Sequence, residues 1–213
     1  LNNVEAGSGT TNVTIKGHTN NVYGTSGNNT IVSNTGSNNF ISGFGDADNA
    51  QALSLAKGET KNLTINGINY TVKNNSSNYS NAVLFSVNPV TGVVSFSGSN
   101  LTINGQSDVS HNVELYGLDF KFYGGEKDDI ITMYAVNSTI YGEGGNDKLL
   151  INSSGFAYGG AGDDEIILNA GGAAAYGDDG DDIITVNVAT SGAINGGLGN
   201  DTYNINAKVT NLS

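Results

Sequence analysis

The chain has 213 residues, a net charge of −12, no cysteine, and one proline against 31 glycines. That balance excludes disulfides, thiolate metal sites and a positive face for nucleic acid or anionic membrane, and no run of ~18 apolar residues is present to span a bilayer. Abundant glycine with almost no proline, set among Asn, Thr, Val, Ile and Tyr, describes many tight turns between short strands rather than a disordered linker. Leu1 in place of Met predicts a piece of a longer protein, and no signal peptide is visible at the start.

Three glycine-containing stretches open the chain: "GSGTTNVTI" (7–15), "GTSGNNTIV" (24–32) and "GFGDADNAQ" (43–51). Their sixth positions are Asn12, Asn29 and Asp48, spaced 17 and 19. A near-fixed period of this length marks a solenoid. Asn keeps the carbonyl oxygen of Asp without its charge, so Asn12 and Asn29 are read as turn-closing residues and 1–51 as degenerate coils. Residues 52–110 leave the period. "KNLTINGINYTV" alternates around Asn66-Gly67, a strong hairpin signal, and "AVLFSVNPVTGVVSFSG" suggests a second hairpin through 88–92. The expectation here is a small antiparallel β module inserted between coils. "HNVELYGLDFKFYGG" (111–125) leads back into the solenoid, assigned to 111–213. No segment carries a convincing amphipathic-helix period.

From residue 124 the repeat is plain. Five segments read "GGEKDD" (124–129), "GEGGND" (142–147), "GGAGDD" (159–164), "GDDGDD" (177–182) and "GGLGND" (196–201), their last aspartates spaced 18, 17, 18 and 19. Two residues after each aspartate stands Ile131, Leu149, Ile166, Ile184 or Tyr203. Between the acidic turns, Asn137, Asn152, Asn169 and Asn187 mark a second turn type. The predicted fold is all-β. Parallel coils of ~18 residues each hold two strands, with acidic turns on one edge, Asn/Ser/Gly turns on the other and apolar ladders inside.

Of the 20 acidic residues, 13 lie in 124–201, where only Lys127 and Lys148 oppose them. Turns stacked ~4.8 Å apart align like charges, and two unit charges 4 Å apart interact by ~4 kcal/mol at an effective dielectric of 20. A divalent cation between successive turns reverses that sign. The donors available are carboxylate and carbonyl oxygens; His18 and His111 lie outside the acidic turns and are read as surface residues. An all-oxygen, flexible site suits Ca²⁺ better than Zn²⁺, which takes N or S donors, or Mg²⁺, which wants a tight octahedron.

The five turns resemble the G-G-x-G-x-D-x-U-x nonapeptides of RTX (repeats-in-toxin) proteins. The resemblance covers about 124–204, with degraded copies at 7–51. It implies a right-handed parallel β-roll with Ca²⁺ between consecutive turns. The implied side-chain ligands are Asp129, Asp147, Asp164, Asp182 and Asp201. The implied carbonyl donors are Gly124, Gly142, Gly145, Gly159, Gly162, Gly177, Gly180, Gly196 and Gly199, with the x-position residues Asn146, Asp163, Asp181 and Asn200. Five turns make about four ions, and a fifth follows if Asp48 stacks on the 124–129 turn. The chain departs from the pattern at Lys127, which replaces a glycine, and in "GEGGND" and "GDDGDD", which lack the second glycine.

There is no G-x-S-x-G elbow, H-E-x-x-H or phosphate loop, so the expected role is non-catalytic. The resemblance implies a calcium-binding module of a large secreted or cell-surface bacterial protein, exported by type I secretion and folding on Ca²⁺ outside the cell. Asn/Thr/Gly richness and the hairpins favour an adhesin or surface-layer type, beside neighbouring modules of the same protein. The alternatives are an ancillary module of a secreted enzyme and a glycan- or ice-binding β face. Tyrosines 23, 116, 123, 134, 141, 158 and 176 are read as packing residues, with stacking on cell-surface glycans as the alternative.

Overall fold

Strands of four to seven residues, with aliphatic side chains at alternate positions, recur through the chain. In a computed structural model that describes residues 2–6, 11–15, 20–24, 29–34, 40–42, 51–88 and 90–212, they build a parallel β-solenoid of about six turns with no helix among the described residues. Near the start, β1 (Asn2–Ala6), β3 (Asn20–Gly24) and β5 (Phe40–Ser42) form one parallel sheet, and β2 (Thr11–Ile15) and β4 (Asn29–Asn34) a second. Asn12 and Asn29 do not share a rung: Thr11 stands opposite Asn29 and Asn12 opposite Thr30. Both lie in strands rather than in turns, because a run this rich in Asn permits an alignment one residue out. Asp48 lies outside the described residues.

Next come β6 (Gln51–Leu55), β7 (Thr60–Ile65), β8 (Ile68–Asn74), β9 (Asn81–Val87) and the long β10 (Val94–Asn104). Both expected hairpins are present. Asn66 and Gly67 carry φ of 51° and 80° between β7 and β8, the turn that matches strand twist. Between β9 and β10, Asn88 Oδ1 accepts the amides of Val90 and Thr91 at 2.9 and 3.1 Å.

These strands do not stand apart from the solenoid. One edge of β10 pairs antiparallel with β9 over its first half and with β8 over its second. Its other edge pairs in parallel with β11 (Asn112–Gly125), from Val94 opposite Val113 to Asn104 opposite Tyr123. Since β6 is antiparallel to β9 and β7 to β8, β6 and β7 run in the same sense as β10. The chain therefore makes a forward coil (β6–β7), one reversed coil (β8–β9) and then a forward coil again (β10). The parallel ladder of the larger sheet begins at Val94.

Beyond β11 two ladders alternate. One is β12 (Ile130–Met133), β14 (Lys148–Ile151), β16 (Glu165–Leu168), β18 (Ile183–Val186) and β20 (Thr202–Ile205). The other is β13 (Ser138–Gly144), β15 (Gly155–Ala161), β17 (Ala174–Asp179), β19 (Thr190–Leu198) and β21 (Val209–Leu212). β11 belongs to both, pairing with β12 at one end and β13 at the other. Where β10 and β11 bend between faces, Asn100 and Asp119 sit at φ 54° and 56°, and Asn137 repeats this at 53°. Asn and Asp tolerate this left-handed region better than other non-glycine residues, which explains the composition of the second turn.

Inside, Val113, Ile131, Leu149, Ile166 and Ile184 form one fully buried column. The column across from it runs Phe122, Ile140, Ala157, Ala175, Ile194. Tyr70, Phe96, Phe120 and Phe122 fill the early coils, and alanines the later ones. Outside, Tyr123, Tyr141, Tyr158 and Tyr176 stack ring on ring, with centroids 4.6, 5.0 and 4.8 Å apart. Asn152, Asn169, Asn187 and Asn206 form an exposed amide ladder with bonds of 3.0, 2.9 and 2.8 Å.

Candidate metal centre

In the 159–164 turn, Gly160 and Gly162 have φ of 115° and 127°, a conformation open to glycine and strained for most side chains. At Gly162 a Cβ would fall on the Gly145 carbonyl of the preceding coil. The fourth positions Gly145, Gly180 and Gly199 behave alike. Where the second glycine is missing, Glu143 and Asp178 take φ of 80° and 77° and keep the turn geometry. The 124–129 turn differs: neither Gly125 nor Lys127 is left-handed.

This geometry turns the sixth-position aspartates inward. Asp129, Asp147, Asp164 and Asp182 are 1, 2, 2 and 0% exposed. Each accepts one backbone amide from the coil before it. His111 N donates to Asp129 Oδ1 at 2.6 Å, Asp129 N to Asp147 Oδ1 at 2.8 Å, Asp147 N to Asp164 Oδ1 at 2.7 Å, and Asp164 N to Asp182 Oδ1 at 2.8 Å. Asp201 Oδ1 takes the Asp182 amide at 3.1 Å, but Asp201 itself is half-buried.

The second oxygen of each is the anomaly. Oδ2 of Asp129, Asp147, Asp164 and Asp182 is buried with no hydrogen-bond partner. An unsatisfied buried acceptor costs about 1–3 kcal/mol, and more when charged. Each Oδ2 rests against the bare Cα of the glycine five residues earlier: Gly124, Gly142, Gly159 and Gly177, where a Cβ would fall on the carboxylate. The carbonyl of the equivalent glycine one coil on converges there. Gly142, Gly159 and Gly177 oxygens lie 2.7, 2.5 and 2.6 Å from the Cβ positions of Gly124, Gly142 and Gly159, and the Gly196 oxygen closes the fourth rung at Gly177. Four rungs therefore each pair a carboxylate oxygen with a glycyl oxygen.

The fifth positions form a separate, exposed ladder running the other way. Asn146 N donates to Asp128 Oδ1, Asp163 N to Asn146 Oδ1, Asp181 N to Asp163 Oδ1 and Asn200 N to Asp181 Oδ1, at 2.8, 3.0, 2.9 and 2.7 Å. These side chains hold neighbouring coils in register at the rim.

Burial pushes the Asp129, Asp147 and Asp164 carboxyls up to about 7 from an ordinary 3.8. The amides they accept pull the other way, and neighbouring aspartates push further. Asp182 is raised for the same leading reason. Removing a carboxylate from water without a counter-charge favours its neutral form.

The rung above Asp129 corrects two sequence readings. The turn against 124–129 is 105–111: Gly105 N donates to Tyr123 O at 2.8 Å and Glu126 N to Ser107 O at 2.7 Å. No place is left there for an Asp48 turn, so no fifth rung forms at that position. His111 is not a surface residue. It is 2% exposed, because it occupies the inward place that aspartate takes in later coils. The 18-residue step from 111 to 129 was the available signal, hidden by a turn one residue longer with a different side chain. His18 lies outside the described residues.

No family model, curated protein or solved structure matches this chain. Among the described residues no three or more His, Cys, Asp or Glu side chains gather into a metal cluster. A cation in these rungs would be held by a carboxylate or two together with backbone carbonyls. The residues present fit such an ion: the donors are all oxygen, one per rung is buried and orphaned, and a bare glycine keeps the space open.

Proposed function

We propose that this chain is a calcium-binding, non-catalytic β-solenoid module of RTX type. The observation that carries the reading is the column of four buried, unpartnered Oδ2 atoms, spaced one coil apart and each facing a glycyl carbonyl. Buried polar atoms without partners are rare in native proteins and need an explanation, and a bound ion supplies one for all four at once. Calcium, when bound, supplies two positive charges and accepts six to eight oxygens in flexible geometry. Asp129, Asp147, Asp164 and Asp182 supply the buried oxygens. Gly142, Gly159, Gly177 and Gly196 present carbonyls, and the missing Cβ atoms of Gly124, Gly142, Gly159 and Gly177 leave the pockets clear. The same carboxylates have an explanation in ligation that needs no reaction.

In this reading the chain belongs to a large secreted or cell-surface bacterial protein of adhesin or surface-layer type. Cytosolic calcium is too scarce to bind, and extracellular calcium closes the acidic coils. One site at tenfold over its Kd adds about 1.4 kcal/mol, so four such sites decide the state of a marginal solenoid. The half-buried tyrosines of the Tyr123–Tyr176 stack offer little to a sugar, since the rings cover each other's faces. The test is a calorimetric calcium titration with circular dichroism, using magnesium as control. Gain of β signal with heat of binding is expected; the absence of both under millimolar calcium overturns the proposal.

A further inference from the structure

The acidic column stops inside the molecule, and the residue at its end is not acidic. His111 stands where the next aspartate would be. Its Nε2 occupies the pocket at Gly105 that Asp129 Oδ2 occupies at Gly124, and the Gly124 oxygen lies 2.7 Å from the Cβ position of Gly105 as the Gly142 oxygen does one coil on. Here no atom is orphaned. Nε2 is 3.0 Å from the Gln106 carbonyl and Nδ1 3.2 Å from the Tyr70 hydroxyl. A carbonyl only accepts, so Nε2 carries the proton and Nδ1 accepts from Tyr70. A neutral imidazole thus supplies in this rung what a carboxylate leaves open in the next four.

The coils on either side differ in the same sense. All four buried, unpaired side-chain polar atoms of the described residues lie at or beyond Asp129. Upstream, Leu55, Tyr70, Phe96, Leu101, Phe120 and Phe122 are fully buried. Tyr70 packs edge-on against Phe96 at 5.2 Å, and His111 against Phe122 at 6.3 Å. Downstream the column that starts at Phe122 runs Ile140, Ala157, Ala175 and Ile194, with no aromatic ring, and its two alanines remove far less apolar area from water. The two upstream hairpins also rest on local contacts, which form early.

We propose that His111 is the stop of the cation column, and that the coils from β6 to β11 close without a cation and template the acidic coils stacked on them. The proposal rests on the calcium reading above.

Hydrogen exchange followed by mass spectrometry on the full chain, in calcium and in EGTA, tests it. Residues 68–74, 94–104 and 112–123 should stay protected in both, on the order of a hundredfold slower than unfolded chain. Residues 148–151, 165–168 and 183–186 should be protected in calcium alone. Free exchange at 94–104 and 112–123 in EGTA, with protection of both halves on adding calcium, overturns the template and leaves the calcium reading standing. Equal protection everywhere in EGTA, with no ion bound by calorimetry, overturns both. A His111→Gln variant checks the stop: the number of bound calcium ions should not change, while EGTA protection at 94–104 falls. One ion fewer would make the imidazole a ligand and refute the assignment.

Discussion

Asp147 and Asp164 are joined through one oxygen only. The Asp147 amide donates to Asp164 Oδ1 at 2.7 Å, while Asp164 Oδ2, buried beside Gly159, has no partner. The bonded oxygen sets the spacing between coils; the unbonded one makes that spacing costly without a cation. Opposite effects of the same substitution with and without calcium follow.

Asp164→Asn keeps an oxygen for the Asp147 amide and places an NH₂ beside the Gly177 carbonyl. Without metal the variant should be more stable than the parent by about 1–3 kcal/mol, the cost of an unsatisfied buried acceptor. In calcium it should be the less stable of the two, with at least one ion fewer. Thermal melts in EGTA and in millimolar calcium read both signs; a loss of stability in EGTA would contradict the geometry.

Gly159→Ala should destabilise in both conditions. Its Cβ would fall on Asp164 Oδ2 with the Gly177 oxygen 2.6 Å away, and overpacking of a closed site costs typically about 1–3 kcal/mol. Urea midpoints check this, and an unchanged midpoint in EGTA would show that the pocket yields.

Metal-free stability should fall as pH rises. Asp129, Asp147 and Asp164 titrate near 7 when folded and near 3.8 when unfolded, so the folded chain holds more protons between those values. Their contribution is fully present below about 3.8 and is lost as pH climbs through about 7. Calcium competes with those protons, so its affinity should rise over the same interval. EGTA melts at pH 5 and 8, paired with titrations at both, measure the two trends.

Tyr158→Ala removes the two ring contacts of 5.0 and 4.8 Å at the centre of the outer stack. Aromatic pairs contribute about 0.5–1.5 kcal/mol each beyond area, so a loss of roughly 1–3 kcal/mol is expected. The ring lies outside the acidic rungs, and the calcium stoichiometry should not move.

The solenoid and its acidic turns were legible because their period is carried by residues that cannot be exchanged freely. The sixth-position aspartates recur every 17–19 residues, each followed two places on by an inward apolar or aromatic residue. Both hairpins were legible from Asn66-Gly67 and 88–92. What the hairpins do was not. A period of two reads the same in either direction, so nothing in "INYTVKN" or "NAVLFSV" marks β8 and β9 as a coil running backwards within the same ladders. His111 was hidden for another reason. Its role depends on Tyr70, 41 residues away, and on Gln106, neither of which belongs to a repeat.

The tyrosine stack provides an optical consequence. The chain has no tryptophan, so phenol rings dominate its near-ultraviolet absorption. Four of them, 4.6–5.0 Å apart with neighbouring planes 3–11° from parallel, lie close enough for their excited states to mix. One ring comes from each of four successive coils, so that coupling exists only while the coils are in register. Assembly of the acidic coils can therefore be followed from the unlabelled protein as an exciton-type signal.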